Sequence, residues 1–446
     1  MEALRSEDTS RPRLSPASKA AGGGLLLAVV FIMALFLLMS LTTFDTWGAM
    51  IVGPVLFLIS LPILSRQAAR EGDRSIYRLL VFALVLKFGA AILGNYVAYS
   101  VYGGQVDLAG YHRVGVQLAE HFRAGNFHTG LKGVTGSNFP ILLNGIIYAI
   151  IGPTKLGGFI VQSWLGFWGL YLFYRAFTIA VPEGRSRSYA RLVFFLPSQI
   201  FWSSYMGKDP WMVLALGVTA YGAARMLSGR TWRGLFAAGL GMWMASLVRP
   251  HVAGIAGLGL AAAFLIRRPR VELRQLAPVA KGLALVVIAA LAVVLVAKTQ
   301  SYLKNQGIDT SKGVTSALEQ AGVGGESGGS EFKAQVVRSP AQYPAAAVTV
   351  LFRPFLFEVN SVFSVLAGVE GTFLILLTIL RLGWIREGFR QVRRRPYVLF
   401  AISYVAVFVF AFSSFANFGL LARQRVQLVP FYLVLLAIPP TRLQNR

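Results

Sequence analysis

The sequence predicts an all-α polytopic membrane protein with about twelve transmembrane helices and juxtamembrane helices on its external side. Of the 446 residues, 55% are apolar and only 14% are charged, whereas soluble domains carry about 25% charged residues. Apolar runs close to 20 residues long recur along the chain, and this is the length that a helix needs to cross a bilayer. A membrane β-barrel is disfavoured because its strands appear as roughly ten-residue alternating segments.

The apolar runs define the predicted spans. In chain order these are 25–43, 49–64, 78–100, 157–179, 190–206, 210–227, 234–249, 251–267, 276–298, 362–382, 397–415 and 427–441. The first run lacks a small-residue cleavage site and is therefore interpreted as a retained span rather than a signal peptide. The run 139–152 is not counted, because fourteen helical residues rise only about 21 Å against roughly 30 Å of hydrocarbon. We expect it to form an interfacial helix.

Basic residues set the expected orientation. With the N-terminus inside, most of the 43 lysines and arginines fall in cytoplasmic segments, as the positive-inside rule requires. Counting 139–152 as a span would move several arginines to the wrong side. The prediction is therefore a bacterial inner-membrane protein with both termini cytoplasmic and two long loops facing the exterior.

The same assignment divides the chain into five regions. These are a disordered N-terminus (1–24), two additional spans (25–77), a seven-helix core with external loop 101–156 (78–298), a second external loop with an interfacial helix (299–361), and a three-span region (362–446).

Composition and motifs exclude several functions. A net charge of +25 would suggest nucleic-acid binding in a soluble protein. In a membrane protein, basic residues that set the topology account for this charge, so no nucleic-acid partner is expected. The chain has no cysteine, which excludes disulfides and thiolate chemistry. No Walker or Rossmann glycine motif occurs. The spacing of His112, His121 and His128 does not suit a metal site, and neither a metal nor a cofactor is predicted.

Asp107 is the leading catalytic candidate. It begins an amphipathic stretch in the first external loop, where apolar residues recur at helical spacing from Leu108 to Phe122. A carboxylate at a membrane surface can be tuned to act as a general base. The competing interpretation is that Asp107 caps the helix that follows it.

Basic residues near predicted external turns are candidates for binding an anion. Lys208 and Asp209 lie in the tight turn of FWSSYMGKDPW, where Lys208 suits a phosphate and Asp209 could instead be an N-cap. Arg249 and His251 lie between two short apolar halves, and a cation at such depth usually faces a cavity or an anion.

Two further pairs complete the candidate set. Arg423 and Arg425 break the positive-inside pattern, and guanidinium groups suit phosphate oxygens, although snorkelling to lipid headgroups is the alternative. Arg353 and Glu358 could contact a substrate or form an ion pair with each other. The phosphate-binding candidates are thus Lys208, Arg249, Arg423 and Arg425, and the substrate-contact candidates are His112, Asp209, His251, Arg353 and Glu358.

Four segments together resemble the GT-C superfamily of integral-membrane glycosyltransferases, in particular the bacterial protein mannosyltransferase and aminoarabinose transferase branches. In order these are DLAGYHRVGVQLAEHFRAGNF, FPILLNGIIYAIIG, FFLPSQIFWSSYMGKDPW and MASLVRPHV. The resemblance covers roughly residues 80–300. It implies that Asp107 matches the catalytic acid and 139–152 a juxtamembrane helix. The sequence departs from the pattern of this family in two respects. Two extra spans precede the key loop, and the acid is single, which does not favour a metal-dependent mechanism.

The resemblance implies transfer of a sugar from a polyprenyl-phosphate donor to a lipid- or protein-linked acceptor on the external face. Membrane lipids would be further partners of the protein. The loop 299–343 would be a possible lid. Three alternatives remain open, one of which is a non-catalytic scaffold for envelope assembly. A Wzy-like polysaccharide polymerase would depend on arginines rather than on Asp107, and a transporter or flippase of envelope lipid intermediates would place functional charges near mid-membrane.

Overall fold

A computed structural model describes residues 16–104, 107–229, 231–267, 337–359, 362–415 and 417–440, with Phe332 and six isolated positions between 282 and 297. Within these ranges the chain is helical and contains no strand, which confirms the all-α prediction. The N-terminus to residue 15, most of the predicted span 276–298 and most of the loop 299–343 lie outside the described residues.

The described ranges contain seventeen α-helices. In chain order they are α1 (Pro16–Leu41), α2 (Phe44–Glu71), α3 (Arg74–Tyr96), α4 (Asp107–Arg123), α5 (Asn138–Ile151), α6 (Lys155–Ala180), α7 (Ser186–Phe195), α8 (Pro197–Phe201), α9 (Lys208–Leu227), α10 (Thr231–Ser246), α11 (Pro250–Ile266), α12 (Tyr343–Phe352), α13 (Val362–Leu380), α14 (Leu382–Gln391), α15 (Pro396–Phe412), α16 (Phe418–Arg425) and α17 (Val429–Leu436). A π-helical segment, Val97–Val101, extends α3.

Several helices are long and apolar enough to span a membrane, as expected of a polytopic membrane protein. Four described segments meet this description: Gly24–Leu41, Phe44–Glu71, Arg74–Val101 and Lys155–Ala180. A fifth is the pair Ser364–Leu380 and Leu382–Gln391, which is bent by 68°. Helices α5, α11 and α15 are apolar but shorter. The count of twelve spans therefore remains a prediction.

The predicted span 190–206 is not one helix. Helix α7 ends at Phe195, Pro197 begins the five-residue α8, and a 3₁₀ turn follows over Trp202–Ser204. A proline interrupts a helix because it lacks an N–H donor and its ring clashes with the preceding turn. The break directs the polypeptide toward the loop that precedes α9.

Helix α6 is the centre of the core, where it packs against α2, α3 and α9. Glycines allow its close approach to α9, since a Cβ added to Gly169 would lie 2.5 Å from the carbonyl carbon of Val213. Small residues at such contacts are typical of helix packing in membranes. This close contact fixes the position of α9 relative to α6.

Helices α4 and α5 form a hairpin beside this core. The amphipathic helix expected after Asp107 is α4, which buries Leu108, Tyr111 and Leu118 on one face. The apolar run 139–152 forms α5, and Gly115 of α4 approaches Asn144 of α5 closely. This packing fixes the position of the N-terminus of α4.

Candidate functional site

Asp209 lies at the centre of a charged cluster where three helices meet. It is in the first turn of α9 and only 1% exposed. Its Oδ1 accepts a hydrogen bond from Nη1 of Arg249 at 3.0 Å, and its Oδ2 accepts one from Nε of Arg423. Arg249 directly precedes α11, and Arg423 is in the last turn of α16.

Burial and ion pairing oppose each other at this carboxylate. Burial alone would raise the pKa of Asp209, but the guanidinium groups of Arg423 and Arg249 hold the pKa below its usual value. Asp209 is therefore ionised. Two guanidinium groups against one carboxylate leave the cluster with a positive charge.

Lys208 adds a third cation next to Asp209. Its Nζ donates a hydrogen bond to Oγ of Ser137 at 2.9 Å. Burial, together with the Arg249 and Arg423 charges, lowers the pKa of Lys208 to about 8. The amine is therefore mostly protonated at neutral pH, and it loses its charge when the pH rises above about 8.

Asp107 is the exposed acid of the cluster. It is the first residue of α4, and no described residue hydrogen-bonds its carboxylate. Its negative charge acts on Lys208 and on Arg423, so it lies within electrostatic range of both. The carboxylate is accessible, as a general base must be.

Tyr111 and Ser137 connect the two halves of this site. Ser137 accepts the hydrogen bond from Lys208 and acts to lower the pKa of Tyr111, so it lies near both side chains. Burial, and then the negative charge of Asp107, raises the pKa of Tyr111. These two residues were not predicted, because a tyrosine on the apolar face of an amphipathic helix resembles ordinary core.

Gly207 shapes the turn that brings Lys208 and Asp209 into place. Its backbone has φ 149° and ψ −142°, a conformation that favours glycine. Its N–H donates to Oε1 of Gln162 on α6 at 2.8 Å, and an added Cβ would lie 3.7 Å from Nη2 of Arg423. The glycine in the MGKDPW turn is the sequence signal for this positive-φ conformation.

The other predicted site residues lie in different surroundings. Arg425 is 1% exposed and donates to the carbonyl of Arg353, so it does not join Arg423 at Asp209. Residues two apart on a helix point in different directions, which explains why the two arginines do not act as a pair. Arg353 instead binds Glu358, with Nε 2.9 Å from Oε1, and this is the mutual ion pair considered as an alternative.

Of the two candidate histidines, His251 is within electrostatic range of Arg249, whereas His112 contacts Tyr148. Nδ1 of His112 is 2.9 Å from the Tyr148 hydroxyl. Burial, followed by the charge of Lys155, lowers the pKa of His112. His251 follows Arg249 in α11 and lies near the Phe412 ring, with 6.0 Å between ring centroids. In the described part of the chain, no three His, Asp or Glu side chains gather as metal ligands would.

No family model matches this sequence, and no curated protein or solved structure is significantly similar to it.

Proposed function

We propose that this protein transfers a sugar from a polyprenyl-phosphate donor to an acceptor hydroxyl at the external face of the membrane. One observation carries the proposal: an exposed carboxylate, Asp107, lies within electrostatic range of a cationic cluster formed by Lys208, Arg249 and Arg423. Transfer of a group from a phosphate requires a base that accepts the proton of the acceptor and a cationic group that stabilises the departing phosphate.

The chemistry follows from the charges. Asp107 accepts the proton of the acceptor hydroxyl as that oxygen attacks the anomeric carbon, while the bond from this carbon to the phosphate oxygen breaks. The negative charge on the departing lipid phosphate is stabilised by Lys208 and by the guanidinium of Arg423, which is still 21% exposed. Arg249 is 8% exposed and contributes mainly by its charge.

The buried carboxylate of Asp209 makes the cluster suitable for reversible binding. It holds both guanidinium groups in fixed positions, so that they do not have to reorganise when an anion arrives. It also offsets part of their charge, which lets the lipid phosphate leave after transfer. The apolar helices around the cluster suit a donor that carries a prenyl chain.

The test is mass spectrometry of lipid-linked and envelope glycans in cells that lack the protein. We expect one monosaccharide to be missing, and wild-type protein to restore it. Asp107→Asn should be expressed and inserted but should not restore it. Glu120→Gln, which changes another exposed acid of α4, should restore it fully. An active Asp107→Asn variant would exclude Asp107 as the base.

The arginines favour a second candidate, a polysaccharide polymerase that acts on lipid-linked repeat units. The observation in its favour is that Arg249 and Arg423 converge on one carboxylate, whereas Asp107 is at the edge of the cluster. Cells without a polymerase accumulate complete repeat units, whereas cells without a transferase lack a sugar. The same glycan analysis therefore separates the two.

A further inference from the structure

Two arginines share one tryptophan where the ends of α13 and α17 meet the starts of α7 and α14. Trp384 lies in the first turn of α14, and the centroid of its ring is 4.5 Å from Cζ of Arg381 and 5.1 Å from Cζ of Arg185. Arg381 joins α13 to α14, and Arg185 directly precedes α7. The backbone N–H of Arg185 donates to the carbonyl of Ala437, just after α17. Two guanidinium groups are thus held beside one indole.

Arg381 is fixed in place by hydrogen bonds and still has donors to offer. Its Nη1 donates to Oγ of Ser188 at 3.1 Å and to the carbonyl of Leu436 at 2.6 Å. Its Nε and Nη2 bond to no described group, and neither is shielded from solvent. Arg185 is exposed, and its side chain donates to no described group. Both guanidinium groups can therefore reach a ligand.

No described acid neutralises this pair of cations. Among the residues that the structure describes, no carboxylate forms an ion pair with Arg185 or with Arg381. Glu183, two residues before Arg185, is already bound to Arg395, with 3.1 Å between Oε1 and Nε. Neighbouring like charges disfavour each other, and an opposite charge stabilises both. Because guanidinium groups suit phosphate oxygens, the pair presents a site for a phosphate anion.

The surroundings indicate that this phosphate belongs to a lipid. Helix α13 is apolar, and near its end Leu376, Ile379 and Leu380 are exposed. The chain then bends by 68° into α14, which carries apolar and charged side chains together, as helices at a membrane surface do. The two arginines therefore lie at the end of an exposed apolar surface. A phospholipid would cover this surface with its acyl chains, whereas a free phosphate ion would gain nothing from it.

We propose that Arg185 and Arg381 bind the headgroup phosphate of an anionic phospholipid whose acyl chains lie along α13. Trp384 is the positioning residue, because its ring attracts both cations, and tryptophan is common at membrane interfaces. The basic segment that begins at Arg381 is expected on the cytoplasmic side, where the leaflet is negatively charged. The site shares no residue with the cluster around Asp209 and does not depend on the proposed transferase function.

The experiment is native mass spectrometry of the full-length protein, released from detergent after titration with dioleoylphosphatidylglycerol or dioleoylphosphatidylcholine. We expect the wild type to prefer phosphatidylglycerol. Arg185→Gln should weaken its binding roughly tenfold or more, as expected when a hydrogen bond between charged groups is lost. Arg390→Gln removes the same charge from an exposed position of α14, where the arginine is 3.9 Å from Glu387, and should leave the affinity nearly unchanged.

Three results would overturn the lipid site. They are equal affinity for the two lipids, equal weakening by Arg185→Gln and Arg390→Gln, and binding of inorganic phosphate as tight as that of phosphatidylglycerol. The second would reduce the effect to general attraction between charges, and the third would assign the site to a free ion.

A second pair of variants tests the role of the indole. Trp384→Phe keeps an aromatic face for the two cations and should bind phosphatidylglycerol nearly as the wild type does, whereas Trp384→Leu should bind it more weakly. Equal binding by the two variants would remove Trp384 from the site. Melting temperatures in detergent show whether each variant is folded, and none of these results depends on whether Asp107→Asn abolishes transfer.

Discussion

At the scale of single residues, Asp209 is bonded to two guanidinium groups in a buried position. Removing one partner of a buried ion pair leaves an uncompensated charge. We expect Asp209→Ala to lower the free energy of unfolding by about 3–5 kcal/mol, measured by thermal or denaturant unfolding in detergent. Glu120→Ala, at an exposed position of α4, is the control and should be nearly neutral. An Asp209→Ala protein as stable as the wild type would mean that water or lipid phosphate already solvates these arginines.

Lys208 gives the site a pH dependence. Its pKa falls from 10.5 to about 8 because it is buried beside the Arg249 and Arg423 charges. The amine is charged below pH 8 and neutral above it, so we expect a short-chain prenyl phosphodiester to bind more weakly as the pH rises through about 8. Between the two pKa values the unfolded chain binds more protons than the folded chain, so this lysine makes stability rise with pH in that window.

The phosphodiester is the right probe because its own charge does not change over this range. Binding isotherms at intervals from pH 7 to pH 9.5 would show the transition. In Lys208→Arg, whose guanidinium stays protonated, the affinity should be constant across the range. A transition that persists in that variant would have to be assigned to another group.

The sequence suggested which residues could take part in a charged site, but it did not suggest which groups each of them contacts. The candidates Asp107, Lys208, Asp209, Arg249 and Arg423 come from four distant segments of the chain, and the structure brings them together. What the sequence could not supply was the direction of each side chain. Arg425 looked equivalent to Arg423, yet two residues further along α16 it points to the carbonyl of Arg353.

At the scale of helices, the position of the site depends on how closely α6 and α9 pack. Gly169 of α6 faces the α9 backbone at Val213 with no room for a Cβ. We expect Gly169→Ala to separate the helices and lower the stability by about 1–3 kcal/mol. Phosphate binding should fall with it, because Lys208 and Asp209 move with α9.

Gly254 provides the matched control for this packing prediction. It is inside α11, and a Cβ added there would meet nothing within 4 Å. Gly254→Ala should stabilise the protein slightly, by up to about 1 kcal/mol, because alanine favours the helix more than glycine does. Melting temperatures in detergent would compare the two, and equal effects would show that helix propensity rather than packing dominates.

Two apolar runs show which helices could be predicted from the sequence and which could not. The helix at 139–152 was expected from its length, and α5 covers Asn138–Ile151. The run 190–206 was assigned as one span because its hydrophobicity is continuous, whereas Pro197 divides it into α7 and α8. Hydropathy averages over a window and does not register a missing N–H, so the proline had to be weighed separately.

At the scale of the whole molecule, orientation is expected to follow from many weak contributions rather than from one residue. The positive-inside bias is a sum over short loops, and in this chain it predicts that α4 and the candidate site face the exterior. It also predicts that the basic helix α14 faces the cytoplasm. Both candidate functions require the first of these, because a polyprenyl-linked donor used outside the cell must meet its acceptor there.

The absence of cysteine allows a direct test of orientation, since the parent protein has no background reactivity toward maleimides. Arg113→Cys places a thiol at an exposed position of α4, and Arg390→Cys places one on α14, where the arginine side chain is 79% exposed. In right-side-out membrane vesicles, a membrane-impermeant maleimide should label the first variant at once and the second only after permeabilisation. The reverse pattern would put Asp107 on the cytoplasmic side and contradict the external transferase. Labelling of both thiols before permeabilisation would mean that the chain crosses the membrane an even number of times between α4 and α14, whereas the predicted spans give seven crossings, so one predicted span would have to be removed or added.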